Sequence, residues 1–323
     1  MRIARAPARG VPPALVWGPL GAVYLIWGTT YLAIRIVNQT LPPLLAAAVR
    51  FLVAGAVLSA WAVRRGDRAG DRPGPRQWLA ALGVGALLLF GGNGGVVWAE
   101  RTVPSGIVAL IIALVPLWMA LIDRVVYRRH LAARAWAGIV LGFGGAGLLV
   151  GPDAGGRLDL PGVLVALGAS LSWAGGSIFS RQAPLPRRPL VGNGMQMLAG
   201  GALLGTAGLL AGELDLVRPE RFSAASLWAL AYLIVFGSFV AFTSYLWLLR
   251  AAPTSLVATY AYVTPVVAVF LGWLVLDEPV GVRTVAAAAV IVVAVALIVS
   301  ARAEPPPPDV TSGEELEPAV RRG

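Results

Sequence analysis

Cysteine and lysine are both missing from this chain of 323 residues, and histidine occurs once, as His130. The lack of cysteine excludes disulfides, thiolate metal sites and cysteine nucleophiles. The lack of lysine excludes a P-loop ATPase and a lysine Schiff base, because both need its amine. The sequence also has no HExxH or GxSxG motif. We therefore expect no catalytic residues, no metal and no cofactor, and do not expect an enzyme.

Charge is scarce as well. Charged residues make up 13% of the chain and hydrophobic residues 58%, whereas a soluble protein has about 25% charged residues. The net charge is +10 and all 26 basic residues are arginine. A basic soluble protein would suggest nucleic acid, but these arginines fall in loops between apolar runs, which is typical of cytoplasmic loops. The expected partner is therefore the lipid bilayer and not nucleic acid.

Long apolar segments are abundant, and each is long enough to cross about 30 Å of hydrocarbon as a helix. They cover residues 16–36, 42–63, 77–99, 103–123, 134–151, 159–180, 191–212, 226–249, 254–276 and 282–300. The sequence thus predicts an all-α polytopic membrane protein with ten transmembrane helices. Most of the arginines lie on one side if the N-terminus is inside, which predicts cytoplasmic N- and C-termini.

The chain also repeats itself. Trp27 recurs as Trp173 in a similar context, and Pro116 recurs as Pro265. Each half holds five spans, and because five is odd, the second half must enter the membrane in the opposite orientation. The fold class expected is two inverted five-helix repeats, which place a site near the bilayer midplane.

Four regions follow from these patterns. Residues 1–15 are expected to be a cytoplasmic tail, 16–151 the first repeat and 159–301 the second repeat. Residues 302–323 contain four consecutive prolines and mixed charge, which predicts a disordered cytoplasmic tail.

Arg50 is the clearest functional candidate, since it lies well inside the second span, where a charge is costly. It could present its guanidinium to a substrate carboxylate. Alternatively it forms a structural ion pair with Glu100 or extends to the membrane surface. Asn93, within "FGGNGG", either borders an unwound segment that contacts substrate or sits where glycines permit close helix packing.

Aromatic and hydroxyl side chains at mid-span positions complete the candidates. Trp27 and Trp173 could wall an apolar cavity or simply fill the bundle core. Pro116 and Pro265 are expected to kink the fourth and ninth spans. The candidate substrate-binding residues are Trp27, Thr30, Arg50, Asn93, Glu100, Trp118, Trp173, Ser177, Tyr245, Tyr260 and Tyr262.

Four stretches resemble EamA-type members of the drug/metabolite transporter superfamily, most closely its YedA-like exporter branch. They are "IWGTTYLAIR" (26–35), "RFLVAG" (50–55), "GGNGGVVWAERTVPSGIVALIIALVPLW" (91–118) and "TSLVATYAYVTPVVAVFLG" (254–272). The resemblance implies two inverted five-helix repeats, cytoplasmic termini and a cavity lined by spans one, three, four, six, eight and nine. It also implies a bacterial inner-membrane location. Glu278-Pro279 matches a family pattern, but Arg129-His130 stands at the equivalent place in the first repeat, so Glu278 is expected to be a structural cap.

The expected function is a secondary transporter, an exporter of a small metabolite, amino acid or drug-like compound by alternating access. A passive channel and a non-transporting membrane scaffold or sensor are the alternatives. Both a monomer and a homodimer are compatible with the sequence.

Overall fold

The computed structural model describes most of the chain. The described residues are 13–64, 73–128, 130–150, 159–186, 188–252, 254–257 and 259–303. They form helices and turns, and none of them is in a strand. This confirms the all-α prediction, whereas most of the predicted tails lies outside the described residues.

Ten long helical segments follow one another along the described part of the chain. They are α1 (Pro13–Val37), α2 (Pro43–Arg64), α3 (Pro75–Ala99), α4 (Ser105–Val125), α5 (Ala133–Val150), α6 (Leu160–Gln182), α7 (Pro189–Leu210), α8 (224–251), α9 (Tyr260–Leu276) and α10 (Val282–Ala303). Seven of them are long and apolar enough to cross a membrane, and α5 and α9 are shorter apolar helices. Helix α7 has 22 residues.

Local sequence explains where several of these helices begin. Pro43, Pro75 and Pro189 each open a helix, where the missing N–H of proline costs nothing and its fixed φ suits the first turn. Asp159 caps α6 by accepting a hydrogen bond from the Gly162 N–H at 3.0 Å.

Helices α3 and α8 share an unusual feature, because each contains a nine-residue π-helical segment at its centre. The segments are Ala86–Gly94 in α3 and Leu233–Ala241 in α8. π-helix is rare and is often found at functional sites. Because Asn93 lies within the first of these segments, the glycine-rich stretch around it is helical with a wider turn, and it is not unwound.

The two prolines expected to kink equivalent spans behave differently. Helix α4 is interrupted at Ala113 and Leu114, and Pro116 lies in the first turn of the helix that resumes at Val115. Pro265 lies inside α9. A helix tolerates proline in its first turn. Of these two prolines, Pro265 is therefore the one that interrupts a continuous ladder of hydrogen bonds.

Contacts between helices are similar in the two halves of the chain. When α1–α5 are matched in order with α6–α10, the contacts of one helix have counterparts in those of its match. Helix α2 packs along α7, and α5 packs along α10. Helix α1 contacts α8 and α9, as α6 contacts α3 and α4. Helix α2 contacts α8, as α7 contacts α3.

The α2–α7 crossing depends on glycine. A Cβ atom on Gly55 would lie 2.9 Å from the backbone N of Leu198, and one on Gly194 would lie 3.2 Å from the Gly55 carbonyl oxygen. Both distances are too short for an unstrained contact, so only residues without a Cβ let the two backbones approach this closely.

Candidate functional site

A small cavity of about 70 Å³ lies within the bundle, between the two π-helical segments. We call it the central cavity. Its lining comes from α1, α2, α3, α4, α6, α8 and α9. The lining residues are Trp27, Thr30, Tyr31, Ile34, Arg50, Phe51, Gly92, Asn93, Val96, Ile112, Trp173, Gly237, Ser238, Phe242, Tyr260 and Thr264.

Six of the eleven candidate residues meet at this cavity. They are Trp27, Thr30, Arg50, Asn93, Trp173 and Tyr260. Both π-helical segments contribute, with Gly92 and Asn93 from α3 and Gly237 and Ser238 from α8. The amide of Asn93 donates a long hydrogen bond of 3.4 Å to the Leu88 carbonyl. Weakly engaged in this way, the amide remains available to a ligand.

Arg50 is buried beside the cavity, with 4% of its surface exposed. Its Nε donates a hydrogen bond to the Ser238 hydroxyl at 3.0 Å, and its guanidinium carbon lies 4.7 Å from the centre of the Phe51 ring. The expected alternative of an ion pair with Glu100 is not formed, because neither carboxylate oxygen of Glu100 has a hydrogen-bond partner among the described residues.

Aromatic rings cluster at one end of the central cavity. The rings of Tyr245 and Tyr260 lie 4.9 and 5.1 Å from that of Trp27, and the Trp173 ring lies 5.9 Å from it, edge to face. We call these four residues the aromatic cluster. Farther toward the N-terminus of α1, the Tyr24 hydroxyl is hydrogen-bonded to the Thr259 hydroxyl.

The opposite end leads to a larger opening of about 790 Å³, which we call the vestibule. It is lined by Arg35, Asn38, Gln39, Thr40, Leu41, Pro42, Pro43, Glu100, Arg101, Asp215, Leu216, Arg218 and Arg221. A narrow space of about 10 Å³ lies between the two cavities, since it shares Asn38 and Pro43 with the vestibule and Ile34 and Arg50 with the central cavity.

Glu100 is placed in the vestibule and not in the central cavity. It is fully buried, in the turn between α3 and α4. Arg35 donates a hydrogen bond to the Glu100 carbonyl oxygen. Burial and the nearby Glu278 carboxylate raise the pKa of Glu100 well above its usual range, and Arg35 opposes this shift.

Carboxylates also cap helices next to the vestibule. Glu278 accepts hydrogen bonds from the Ser105 N–H at 2.8 Å, the Ser105 hydroxyl at 3.0 Å and the Gly106 N–H at 3.2 Å, so it holds the start of α4. Glu213 accepts from the N–H groups of Leu44 and Leu45 at the start of α2. The cap expected at Glu278 is present in the structure.

Four other candidates lie outside the central cavity. The Trp118 indole donates to the Ser170 hydroxyl at 2.8 Å, and the Ser177 hydroxyl donates to the Trp173 carbonyl at 2.7 Å. Tyr262 is half-buried against the hydrophobic core. Tyr245 belongs to the aromatic cluster.

Sequence reasoning did not single out Ser238 or Thr264, although both line the cavity. Thr264 is 5% exposed, and its hydroxyl has no hydrogen-bond partner among the described residues. The internal repeat could have indicated Phe242, which occupies the position in α8 that corresponds to Asn93 in α3. No comparable signal marks Thr264.

The chain is similar to known membrane transporters along most of its length. The model of the EamA-like transporter family matches residues 16–151 and 160–300. The chain is 40% identical over 262 residues to "Uncharacterized inner membrane transporter YedA" of Escherichia coli K12, covering 80% of this chain and 81% of the relative. It is 27% identical over 265 residues to "Protein PecM" of Dickeya dadantii, covering 78% of this chain and 82% of the relative.

A solved crystal structure shares the fold, with a TM-score of 0.63 and 23% identity, over 90% of this chain and 99% of the other. The long apolar helices and the similarity to a protein named as an inner membrane transporter identify a multi-pass membrane protein. Because the family model covers most of the sequence in two successive matches, this chain belongs to the EamA-like transporter family.

Proposed function

We propose that the protein is a secondary transporter that exports a small organic solute across the bacterial inner membrane by alternating access. One observation carries the proposal. A cavity with a buried cation lies between two π-helical segments, connects to the vestibule at one end and meets the aromatic cluster at the other. A binding space that opens to one side of the membrane at a time is the arrangement that alternating access requires.

The proposed topology has ten spans in two inverted repeats of five, α1–α5 and α6–α10. The similarity of the helix contacts in the two halves supports it, since α2 meets α7, α5 meets α10, and the α1–α9 contact has its counterpart in α6–α4. The two π-helical segments occur in corresponding helices, α3 and α8. An odd number of spans in each repeat then gives the repeats opposite orientations.

We place both termini in the cytoplasm, because that orientation puts most arginines of the connecting loops inside. The C-terminal end of α1 then lies outside, and with it the vestibule. The aromatic cluster faces the cytoplasm. In this orientation the structure corresponds to a state that is closed toward the cytoplasm and partly open toward the periplasm.

The central cavity is contracted in this state. Small-molecule pockets usually measure about 300–1,000 Å³, whereas the central cavity holds about 70 Å³ and the vestibule about 790 Å³. Loading from the cytoplasm therefore requires the aromatic cluster to separate, and the cavity widens as its rings move apart. Return to the closed state pushes solute toward the vestibule.

The proposed roles of the candidate residues follow from their positions. Trp27, Trp173 and Tyr260 wall the cavity, and Arg50 and Asn93 present polar groups to the solute. Thr30 lies in the wall, with its hydroxyl bonded to the Ile26 carbonyl at 2.7 Å. Glu100 belongs to the outer passage. Trp118, Ser177, Tyr245 and Tyr262 support the surrounding helices.

Purified protein in liposomes tests the transport activity. Counterflow of labelled metabolites, with and without a pH gradient, should be saturable and should be lost in Arg50→Ala while that variant still inserts and folds. Arg76→Ala, a change at an exposed arginine at the start of α3, is the matched control and should transport normally. Steady ionic conductance in planar bilayers would identify a channel, and the absence of counterflow for every solute would contradict transport.

The chain contains no cysteine, so single introduced cysteines report topology without a background signal. A cysteine within 64–76 and one within 213–225 should react with a membrane-impermeant maleimide from opposite sides. Labelling of both from the same side would contradict the inverted repeats.

A further inference from the structure

We infer that the solute is a monocarboxylate with an apolar body, and that Arg50 and Thr264 bind its carboxylate. This inference names the substrate class of the central cavity and therefore rests on the proposed function. It depends on the charge, the unpaired polar groups and the walls of that cavity.

Arg50 is a buried cation that has no counter-charge among the described residues. Arg50 is buried, and among the described residues no carboxylate lies within ion-pair distance of its guanidinium. The hydrogen bond that it makes to the described part of the chain uses Nε, while a guanidinium has five N–H donors. A buried cation without an anion is unfavourable, and a carboxylate in the adjoining cavity would supply both the opposite charge and the acceptors.

The second step is the way in which the guanidinium is held. Ser238 binds Nε, the Phe51 ring lies alongside, and a Cβ on Gly237 would be 2.9 Å from Nη2. The absence of a side chain at Gly237 thus provides the space for the Nη2 end. With Nε occupied by the protein, the two terminal nitrogens remain for a ligand, and such a pair suits a carboxylate better than a single carbonyl oxygen.

The third step is Thr264 on α9. Its hydroxyl is buried at the cavity wall and makes no hydrogen bond to any described residue. Hydroxyl groups in helices usually bond to a carbonyl of the preceding turn, as Thr30 does in this protein. A free hydroxyl at the wall can donate a hydrogen bond to a carboxylate oxygen, so Thr264 can add to the binding of the same anion by Arg50.

The remaining walls define the rest of the solute. They are largely aromatic, from Trp27, Phe51, Trp173, Phe242 and Tyr260. None of the residues that line the central cavity is acidic, so a ligand ammonium group would meet Arg50 without any compensating anion. The walls therefore favour an apolar, flat body and disfavour a second charge.

The charge of the vestibule also favours an anionic solute. The vestibule is lined by four arginines, Arg35, Arg101, Arg218 and Arg221, against the two carboxyl groups of Glu100 and Asp215. Excess positive charge along this outer passage makes it more favourable for an anion than for a cation to leave by it. Arg50 continues this positive charge to the central cavity through the narrow connecting space that it also lines.

Equilibrium dialysis on the purified full chain in detergent tests the inference without requiring transport. The probes are labelled phenylacetate, phenylacetamide and 2-phenylethylamine, which share a ring and differ in charge. We expect phenylacetate to bind at least about tenfold more tightly than the amide, a difference of about 1.4 kcal/mol, and we expect the amine to bind most weakly.

Variants locate the effect. Arg50→Gln should abolish the preference for the acid over the amide, and Thr264→Val should weaken phenylacetate binding severalfold. Arg76→Gln, an identical change at an exposed arginine, should leave both affinities unaltered. Melting curves for each variant confirm that it is folded.

Equal binding of acid and amide, tighter binding of the amine, or no binding of phenylacetate would overturn the inference. A preference for the acid that persists in Arg50→Gln would overturn the assignment of Arg50. Because dialysis measures binding alone, a protein that binds phenylacetate but fails in counterflow would support the substrate class and contradict the transport function.

Discussion

The two ends of the proposed solute pathway are built differently. At the vestibule, carboxylates hold helix ends, with Glu278 at the start of α4 and Glu213 at the start of α2. At the other end, Trp27 contacts three aromatic rings. Hydrogen bonds to helix termini have strict geometry, whereas ring contacts tolerate several arrangements. In the proposed cycle we therefore expect the ring contacts of the aromatic cluster to separate, while the capped helix ends at the vestibule keep their local structure and move as rigid units.

Loss of the central ring should produce the largest change. Trp27→Ala removes all three ring contacts and should destabilise the fold by about 3 kcal/mol. A cysteine introduced at Val23, which is fully buried beyond the cluster, should then react with maleimide at least about tenfold faster. A tenfold increase corresponds to a local opening whose free-energy cost is lower by about 1.4 kcal/mol.

Trp228→Ala is the control for this change, since Trp228 is 78% exposed. It should alter neither stability nor labelling. If Trp27→Ala left the labelling of Val23→Cys unchanged, the aromatic cluster would not be the closure.

The capped helix end at the vestibule can be tested by removing the carboxylate that caps it. Glu278→Ala leaves the N–H groups of Ser105 and Gly106 without their acceptor and should lower stability by about 1–2 kcal/mol, seen as a lower melting temperature in detergent. Glu220→Ala, at an exposed acidic residue, provides the comparison. Equal melting temperatures for the two variants would show that the cap does not hold this end.

Glu100 makes the vestibule end sensitive to pH. Its pKa is raised by burial and by Glu278, with Arg35 acting in the opposite direction. A carboxyl whose folded pKa exceeds its unfolded value contributes stability that is fully present below the unfolded pKa and is lost as pH rises through the folded pKa. The melting temperature should therefore fall as pH rises above the usual range of a carboxyl pKa, and Glu100→Gln should reduce that fall. An identical pH profile in the variant would contradict a protonated Glu100.

The smallest effect is expected from one hydroxyl. Tyr24→Phe removes the hydrogen bond to Thr259 and should cost about 0.6 kcal/mol, the average for such bonds within membranes. Its counterpart, Tyr232→Phe, removes a hydrogen bond to Thr29. Only Tyr24→Phe should speed labelling of Val23→Cys, and a similar increase in both variants would mean that α1 loosens as a whole.

Hydropathy was sufficient to predict the helices, because a bilayer leaves few alternatives to apolar helical segments of fixed minimum length. The predicted segment 77–99 corresponds to α3, and 282–300 lies within α10. Hydropathy does not report the π-helical segments, because a wider helical turn within an apolar stretch leaves the mean hydropathy unchanged.

The same reasoning found part of the central cavity. Trp27 and Trp173 were detected because the chain repeats, and Arg50 because charge is rare in a span. Thr264 was missed because an isolated threonine in a helix looks like any other, and only the tertiary structure shows that its hydroxyl is unpaired. Trp118 was included although its indole is bonded to Ser170, a partner that no spacing rule could indicate.

The crossing of α2 and α7 has a further consequence. At Gly55 and Gly194 the main chains meet with no side chain between them, so a slide of either helix would bring a side chain into this contact and force the two backbones apart. In the proposed cycle this point serves as a pivot. If the two repeats turn about this shared pivot, the space between them cannot open on both sides of the membrane at once. The membrane would then stay sealed while the solute passes.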